Sequence, residues 1–332
     1  MIYDGIEFHD VEDMEFQEKS YRLSRLPRKI ANQLEPVLRD QFSWFSTGVE
    51  LRFRMTSDEV KLHLSAEPTE EAMVAVIYFG SIAGGWTHST KVIGEGETVI
   101  SIRYPEELKK LEMIEEEHNL PFRTRLVRVL LPGGICHYYG KEGETEPPRK
   151  GDTPLVRYLA YGSSITHGSL SLTLPFSYPS LIAEALGVDC INQGYAGSAF
   201  MEAPAAEYMV SRKDWDFATL ELGVNMLGTT MSEGEYEQRV IKFLEFFAKD
   251  GRPVFITDIF LNNQDNQERA RIFREIIHRN ATTKNMFYTS GLQLLDNPAY
   301  ISTDMVHPSG AGHRQIAGRW TKIIKDTLLV TE

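Results

Sequence analysis

Leu155-Val156-Arg157-Tyr158-Leu159-Ala160-Tyr161-Gly162-Ser163-Ser164-Ile165-Thr166 is the stretch from which the fold is read. A largely apolar run ends at Tyr161 and breaks at once into glycine and small polar residues. That pattern predicts a buried strand closing in a tight turn, with Ser164 presented at its carboxyl end as a nucleophile would be. Further strand-like runs begin near Val188, Phe217, Val254 and Met286. Between them, residues 177–186, 233–249 and 265–280 carry apolar side chains at three- and four-residue spacing, the helical period. A last helix is expected from near Pro308, where proline suits a first turn, to about Leu328. Strand alternating with helix predicts an α/β domain: three α/β/α layers around a parallel sheet of about five strands. Such sheets carry their sites at the carboxyl edge.

Upstream the pattern changes. Residues 140–154 are charged, rich in proline and glycine, and poor in apolar side chains, which marks a boundary. Before them, residues 49–55 and 60–64 alternate apolar and polar positions as half-buried strands do. Residues 73–79, 98–104 and 126–131 add three more strand-like runs, separated by turns at spacings suited to a β-sandwich. Short helices are expected over 28–38 and 106–117. The chain thus divides into an N-terminal β-sandwich over 1–150 and an α/β domain over 151–332.

The bulk numbers exclude several classes. With 332 residues the chain can bury two cores, and 42% hydrophobic with 25% charged residues is ordinary for a globular protein. A net charge of −12 argues against nucleic acid or an anionic membrane as partner, since both require clustered cations. Cys136 and Cys190 are too few for a disulfide framework. The first residues lack the basic and apolar regions of a secretory signal, and no run of 18 apolar residues occurs, so a cytoplasmic location is expected.

The candidate chemistry lies in four ordered segments. Asp304-Met305-Val306-His307 places an acid three residues before a histidine, where it can fix the ring tautomer and leave the far nitrogen free to accept a proton. The partner it requires is Ser164. Between them, Asn192-Gln193-Gly194-Tyr195-Ala196-Gly197 and Leu220-Glu221-Leu222-Gly223-Val224-Asn225 each follow a predicted strand. They can offer backbone N–H groups and a side-chain amide to a developing oxyanion. His167 and Tyr195 are read as possible pocket-lining residues, and His313 as structural. The histidines show no metal-ligand spacing, so neither metal nor cofactor is expected.

Taken in order, the four segments resemble the signature blocks of the SGNH hydrolases, the GDSL family of esterases and lipases, over roughly residues 155–327. Ser164 matches the family's nucleophile, Gly197 and Asn225 its oxyanion-hole residues, and Asp304 and His307 its acid and base; the backbone N–H of Ser164 completes the implied oxyanion hole. Two positions depart from the pattern. Ser163 stands where the first block normally has Asp, and Met226 where the third has Asp after the asparagine. Neither replaced acid is a proton-transfer group, so the changes bear on the hydrogen bonding of the nucleophile loop. The resemblance implies a flavodoxin-like α/β/α domain, and a preceding jelly-roll-like sandwich is similar to that of some carbohydrate esterases. It implies a serine esterase for short-chain, above all acetyl, esters of a carbohydrate or small polar alcohol. An acyltransferase using the same acyl-enzyme is the first alternative, and a non-catalytic carbohydrate-binding protein the second.

Overall fold

The structure, a computed structural model, describes residues 1–88 and 90–328. Its residues group into two units. The first holds Met1–Arg28, Ser43–Leu155 and Gly187–Asp189; the second holds Lys29–Phe42, Val156–Leu186 and the chain from Cys190 onward. The grouping is therefore not one cut near residue 150, because residues 29–42 belong with the second unit.

In the first unit the main strands are β1 (Ile6–His9), β2 (Ser20–Ser24), β3 (Glu50–Met55), β4 (Val60–Ala66), β5 (Val74–Phe79), β6 (Thr98–Ile102), β7 (Val127–Leu130) and β8 (Cys136–Glu142). They form two antiparallel sheets, one ordered β1-β3-β7-β5 at its centre and the other β6-β4-β8-β2, each extended by short edge strands. Alternation explains the packing. Leu51 and Phe53 of β3, Ile77 of β5 and Val129 of β7 point inward and share one core with Leu62 and Leu64 of β4, Ile100 of β6 and Tyr138 of β8. On the other side of β3, Arg52 is fully buried and donates to Glu50 at 2.8 Å, and Arg128 of β7 reaches the same carboxylate at 2.6 and 2.8 Å. Burial alone would push the Glu50 carboxyl up, but Arg128 and Arg52 outweigh it and hold it down at about 2. A helix, α1 (Leu108–His118), falls where one was expected. The helix expected over 28–38 is instead two short ones, Arg28–Ala31 and Pro36–Asp40, because Pro36 has no N–H to continue a helix and begins a new one.

The second unit is built on β9 (Arg157–Gly162), β10 (Asp189–Gly194), β11 (Phe217–Glu221), β12 (Val254–Thr257) and β13 (Met286–Thr289). They form one sheet in the order β10-β9-β11-β12-β13, the flavodoxin-like arrangement, with parallel pairing along β9, β11, β12 and β13. Tyr158, Leu159, Ala160 and Tyr161 are all buried, so β9 has both faces covered and reads as a continuous apolar run for that reason.

The main helices are α2 (Ser164–His167), α3 (Tyr178–Leu186), α4 (Ala203–Ser211), α5 (Glu233–Asp250), α6 (Gln267–Asn280) and α7 (Gly310–Leu328), with a further short one at Gly291–Leu294. Helix α3 packs on α7, while α4, α5 and α6 pack in series, giving two helical layers around the sheet. Ser232 and Glu235 cap α5 reciprocally, and its buried stripe, Tyr236, Val240, Phe243, Leu244 and Phe247, keeps the helical spacing that betrayed it in the sequence. Among the described residues no helix is long and apolar enough to cross a membrane.

Candidate active site

The turn after β9 is built around a close approach. A β-carbon on Gly162 would lie 2.1 Å from Thr166 Oγ1 and 2.5 Å from Glu221 Oε2, so only glycine lets the strand end against these groups. Ser163 then caps α2 by accepting from the Ile165 N–H at 3.2 Å, which leaves Ser164 as the first helical residue. The N–H of a first helical residue has no acceptor within its helix and is available to a ligand.

Ser164 Oγ lies 2.6 Å from His307 Nε2, and His307 Nδ1 lies 2.6 Å from Asp304 Oδ2. The other oxygen of Asp304 accepts from Val306 N–H, His307 N–H and the Ser302 hydroxyl at 2.7–2.9 Å. Partial burial pushes the Asp304 carboxyl up, but these backbone donors, Ser302 and the ring together hold it well below the usual carboxylate range. An ionised Asp304 keeps the proton on Nδ1, so Nε2 faces Ser164 as an acceptor. The loop is fixed from both sides: Ser302 N–H donates to His307 C=O at 2.8 Å, and Asn263 N–H donates to Met305 C=O at 2.8 Å. Met305 takes a left-handed φ of 68°, a locally costly conformation for a residue with a β-carbon, inside this bonded frame.

Two further segments meet the serine. Gly197, with φ of 65°, lies in the turn after β10, where a left-handed residue is best served by glycine. Asn225 lies in the turn after β11, and its Oδ1 accepts from the Ala199 N–H at 3.0 Å. Only the oxygen of the amide can accept, so the NH₂ is the end left for a ligand. Ser164, Gly197, Asn225 and His307 all line one cavity of about 710 Å³ within the second unit. The arrangement can deprotonate a serine hydroxyl as it attacks, and can meet negative charge with N–H donors from three segments.

The structure does not bring His167 or Tyr195 to that cavity. Both are buried beside it in the packing: Tyr195 donates its hydroxyl to Gln193 and sets its ring against Tyr161, and His167 lies against Gly194. His313 is fully buried, accepts from the Tyr178 N–H at 3.2 Å and lies 3.2 Å from the Ser169 carbonyl. Burial pushes its ring down to about 4, so it stays neutral and holds two loops together.

Sequence reasoning missed two features. Glu221, at the end of β11, is 1% exposed, and its Oε2 accepts from the Ser163 N–H at 2.6 Å and from the Thr166 hydroxyl at 3.1 Å. Its Oε1 is buried with no hydrogen-bond partner among the described residues. Burial pushes this carboxyl above the ordinary range against the pull of those donors and of nearby His307. An acid inside the run Phe217-Ala-Thr-Leu-Glu221-Leu222 was the available signal. The second feature is the rest of the cavity wall, which includes apolar Phe42, Val224, Leu227 and Val306 and polar Ser169, Gln264, Asp265 and Asn266. Nothing local in the sequence marked Phe42.

With that geometry in place, the comparisons with known proteins become informative. The sequence model of the GDSL-like lipase/acylhydrolase family matches residues 160–315. No curated protein matches the chain by sequence. Among solved structures, a salicylyl-acyltransferase from a tetracycline biosynthetic pathway is similar at a TM-score of 0.77 and 14% identity, covering 98% of this chain and 95% of that one. A candidate GDSL-like lipase from Bacteroides ovatus aligns at 0.68 and 17% identity, covering 95% and 93%. An acetyl xylan esterase from the rumen bacterium Butyrivibrio proteoclasticus aligns at 0.55 and 14% identity, covering 85% and 90%. At these identities the likeness is one of fold.

Proposed function

We propose, for a chain whose residues 160–315 match the sequence model of the GDSL-like lipase/acylhydrolase family, that it hydrolyses carboxylic esters through an acyl-enzyme on Ser164. The observation that carries this reading is the continuous chain Ser164 Oγ to His307 Nε2 to Asp304, with 2.6 Å at each step, opening onto a cavity that Gly197 and Asn225 also line. In the first half-reaction Ser164 Oγ bonds to the ester carbonyl carbon as its proton passes to His307 Nε2. The carbonyl electron pair moves to oxygen and is met by the N–H groups of Ser164 and Gly197 and the amide of Asn225. Collapse of the tetrahedral species breaks the bond to the alcohol, which leaves with the proton from His307. Water then repeats the sequence: it gives a proton to His307, attacks the acyl carbon, and Ser164 departs with that proton restored.

The alcohol we read as polar, a carbohydrate or another small hydroxylated molecule. Gln264, Asp265 and Asn266 support this, because they stand on the cavity wall with amide and carboxylate groups suited to hydroxyls. The same residues favour a second reading, acyl transfer, since a polar rim that seats a leaving alcohol can equally seat an acceptor.

Hydrolysis of p-nitrophenyl acetate by the protein and by Ser164→Ala, beside fluorophosphonate labelling followed by peptide mass spectrometry, tests the proposal. Activity lost in the variant and a label on Ser164 are expected. Undiminished hydrolysis by Ser164→Ala, or a label elsewhere, would overturn it. Adding a candidate acceptor alcohol and looking for transesterified product separates the two readings.

A further inference from the structure

Residues 29–42 lie in sequence inside the β-rich unit yet group with the second one. They leave β2 and return to β3, and between these points they form the short helix Pro36–Asp40. Ala31, Leu34 and Leu38 are buried, which anchors the segment by three apolar side chains, and the Glu35 N–H donates to Glu202 Oε1 at 2.8 Å. A segment held in this way delivers its last residue to a fixed place. That residue is Phe42, half-buried on the wall of the cavity that holds Ser164.

Phe42 stands over the oxyanion side of the cavity. A β-carbon built on Gly197 would lie 4.0 Å from the Phe42 ring, so the ring stands beside the Gly197 turn at contact distance. Val224 and Leu227 flank Asn225 in the chain, and Val306 precedes His307; all three line the same cavity. The polar members, Gln264, Asp265 and Asn266, come from a different element, the loop after β12. Apolar side chains thus arise next to the groups that would hold the carbonyl, and most of the remaining hydrogen-bonding side chains arise from a separate loop, with Ser169 following the nucleophile helix. At about 710 Å³ this open cleft has the size of a small-molecule site and leaves room beyond a two-carbon acyl group.

We propose that Phe42, with Val224, Leu227 and Val306, forms an acyl subsite that selects an aromatic or branched acyl group over acetyl. This rests on the acyl-enzyme reading of Ser164 given above, and it departs from the acetyl preference that the sequence resemblance implied. An acyl group carrying a ring or a branched carbon skeleton removes the apolar faces of these four residues from water, and a flat one meets the Phe42 ring in offset or edge contact. Acetyl reaches neither. Discrimination of this kind shows in kcat/KM, because the acyl group is already seated in the transition state.

The test is a set of p-nitrophenyl esters of one leaving group: acetate, isobutyrate and benzoate, measured on the protein and on Phe42→Ala and Phe42→Leu. The wild type is expected to have a higher kcat/KM for benzoate or isobutyrate than for acetate. In Phe42→Ala the benzoate-to-acetate ratio should fall by roughly tenfold or more, the scale on which apolar pockets discriminate. Phe42→Leu, which keeps an apolar side chain and guards against loss of the fold, should keep more of the isobutyrate than of the benzoate advantage. A wild type that prefers acetate, or variants that lower all three esters by the same factor, would overturn the subsite. A wild type inactive on every ester and unlabelled at Ser164 by fluorophosphonate would instead remove the acyl-enzyme reading itself, and the subsite with it.

Discussion

Glu221→Gln isolates the buried carboxyl under the nucleophile turn, and its effect on stability should depend on pH in a stated direction. Glu221 sits at the end of β11, 1% exposed, with one oxygen accepting from Ser163 and Thr166 and the other without a partner among the described residues. Burial raises its folded-state pKa above the value near 4.5 that it has when unfolded. Between those two values the native state binds more protons than the unfolded state, so the contribution of Glu221 is fully present below about 4.5 and is lost as pH rises through the folded pKa. The slope is at most about 1.4 kcal/mol per pH unit in that window. Glutamine does not titrate. Its oxygen can take the place of Oε2 and keep both donors, but its NH₂ then falls where Oε1 finds no partner, a pH-independent cost of about 1–3 kcal/mol. Urea denaturation of both proteins from pH 4 to pH 8 reads the difference. The wild type should lead the variant most at the acid end, and the gap should narrow as pH rises. A constant gap across this range would mean that Glu221 titrates at its ordinary value, and the account of burial at the turn would be wrong.

Two other perturbations have clear expectations. Asn225→Ala removes an amide whose oxygen is already spent on Ala199 and whose NH₂ is the remaining donor, so kcat should drop by about 10²–10³ with a smaller change in KM; steady-state kinetics on p-nitrophenyl esters would read this, and a loss under about threefold would remove Asn225 from the oxyanion hole. Arg128→Met withdraws one of the two guanidinium groups that hold buried Glu50 ionised, which should destabilise the protein by about 3 kcal/mol in chemical denaturation. Because the wild-type Glu50 carboxyl lies near 2, its stabilising contribution is present above about 4.5 and is lost as pH falls from there toward 2; without Arg128 the folded value rises toward the unfolded one, so less stability remains to be lost and the loss is complete at a higher pH, and an unchanged acid limb would contradict this pairing.

The parts of this molecule that were legible in the sequence are those whose cause is local. Tyr158 to Tyr161 run apolar because β9 is covered on both faces, and the stripe of α5 keeps the helical period because one face meets the core. Ser164, Asp304 and His307 could be named as candidates because each sits where a strand or loop end forces a backbone feature, and the structure brings them within hydrogen-bond reach of one another. Orientation at a turn is a different matter. Tyr195 lies two residues before Gly197, where lining the pocket and packing in the core are equally open to it from the sequence, and its ring packs against Tyr161 with its hydroxyl satisfied by Gln193. The helix expected over 28–38 failed at Pro36 for a reason written in the sequence, whereas the destination of that segment was not written there. Ala31, Leu34 and Leu38 are buried and residues 29–42 group with the second unit, and neither the spacing nor the composition of these side chains names the surface they meet. Glu221 is the intermediate case: an acid in an apolar strand is visible at once, yet whether it is a surface residue or a buried one depends on Gly162 and Thr166, nearly 60 residues away, leaving it room and a donor. The same non-local dependence governs selectivity. On the reading proposed above, the reacting groups stand in turns that the sequence exposes, while the choice of acyl group would depend on Phe42, delivered from a distant segment.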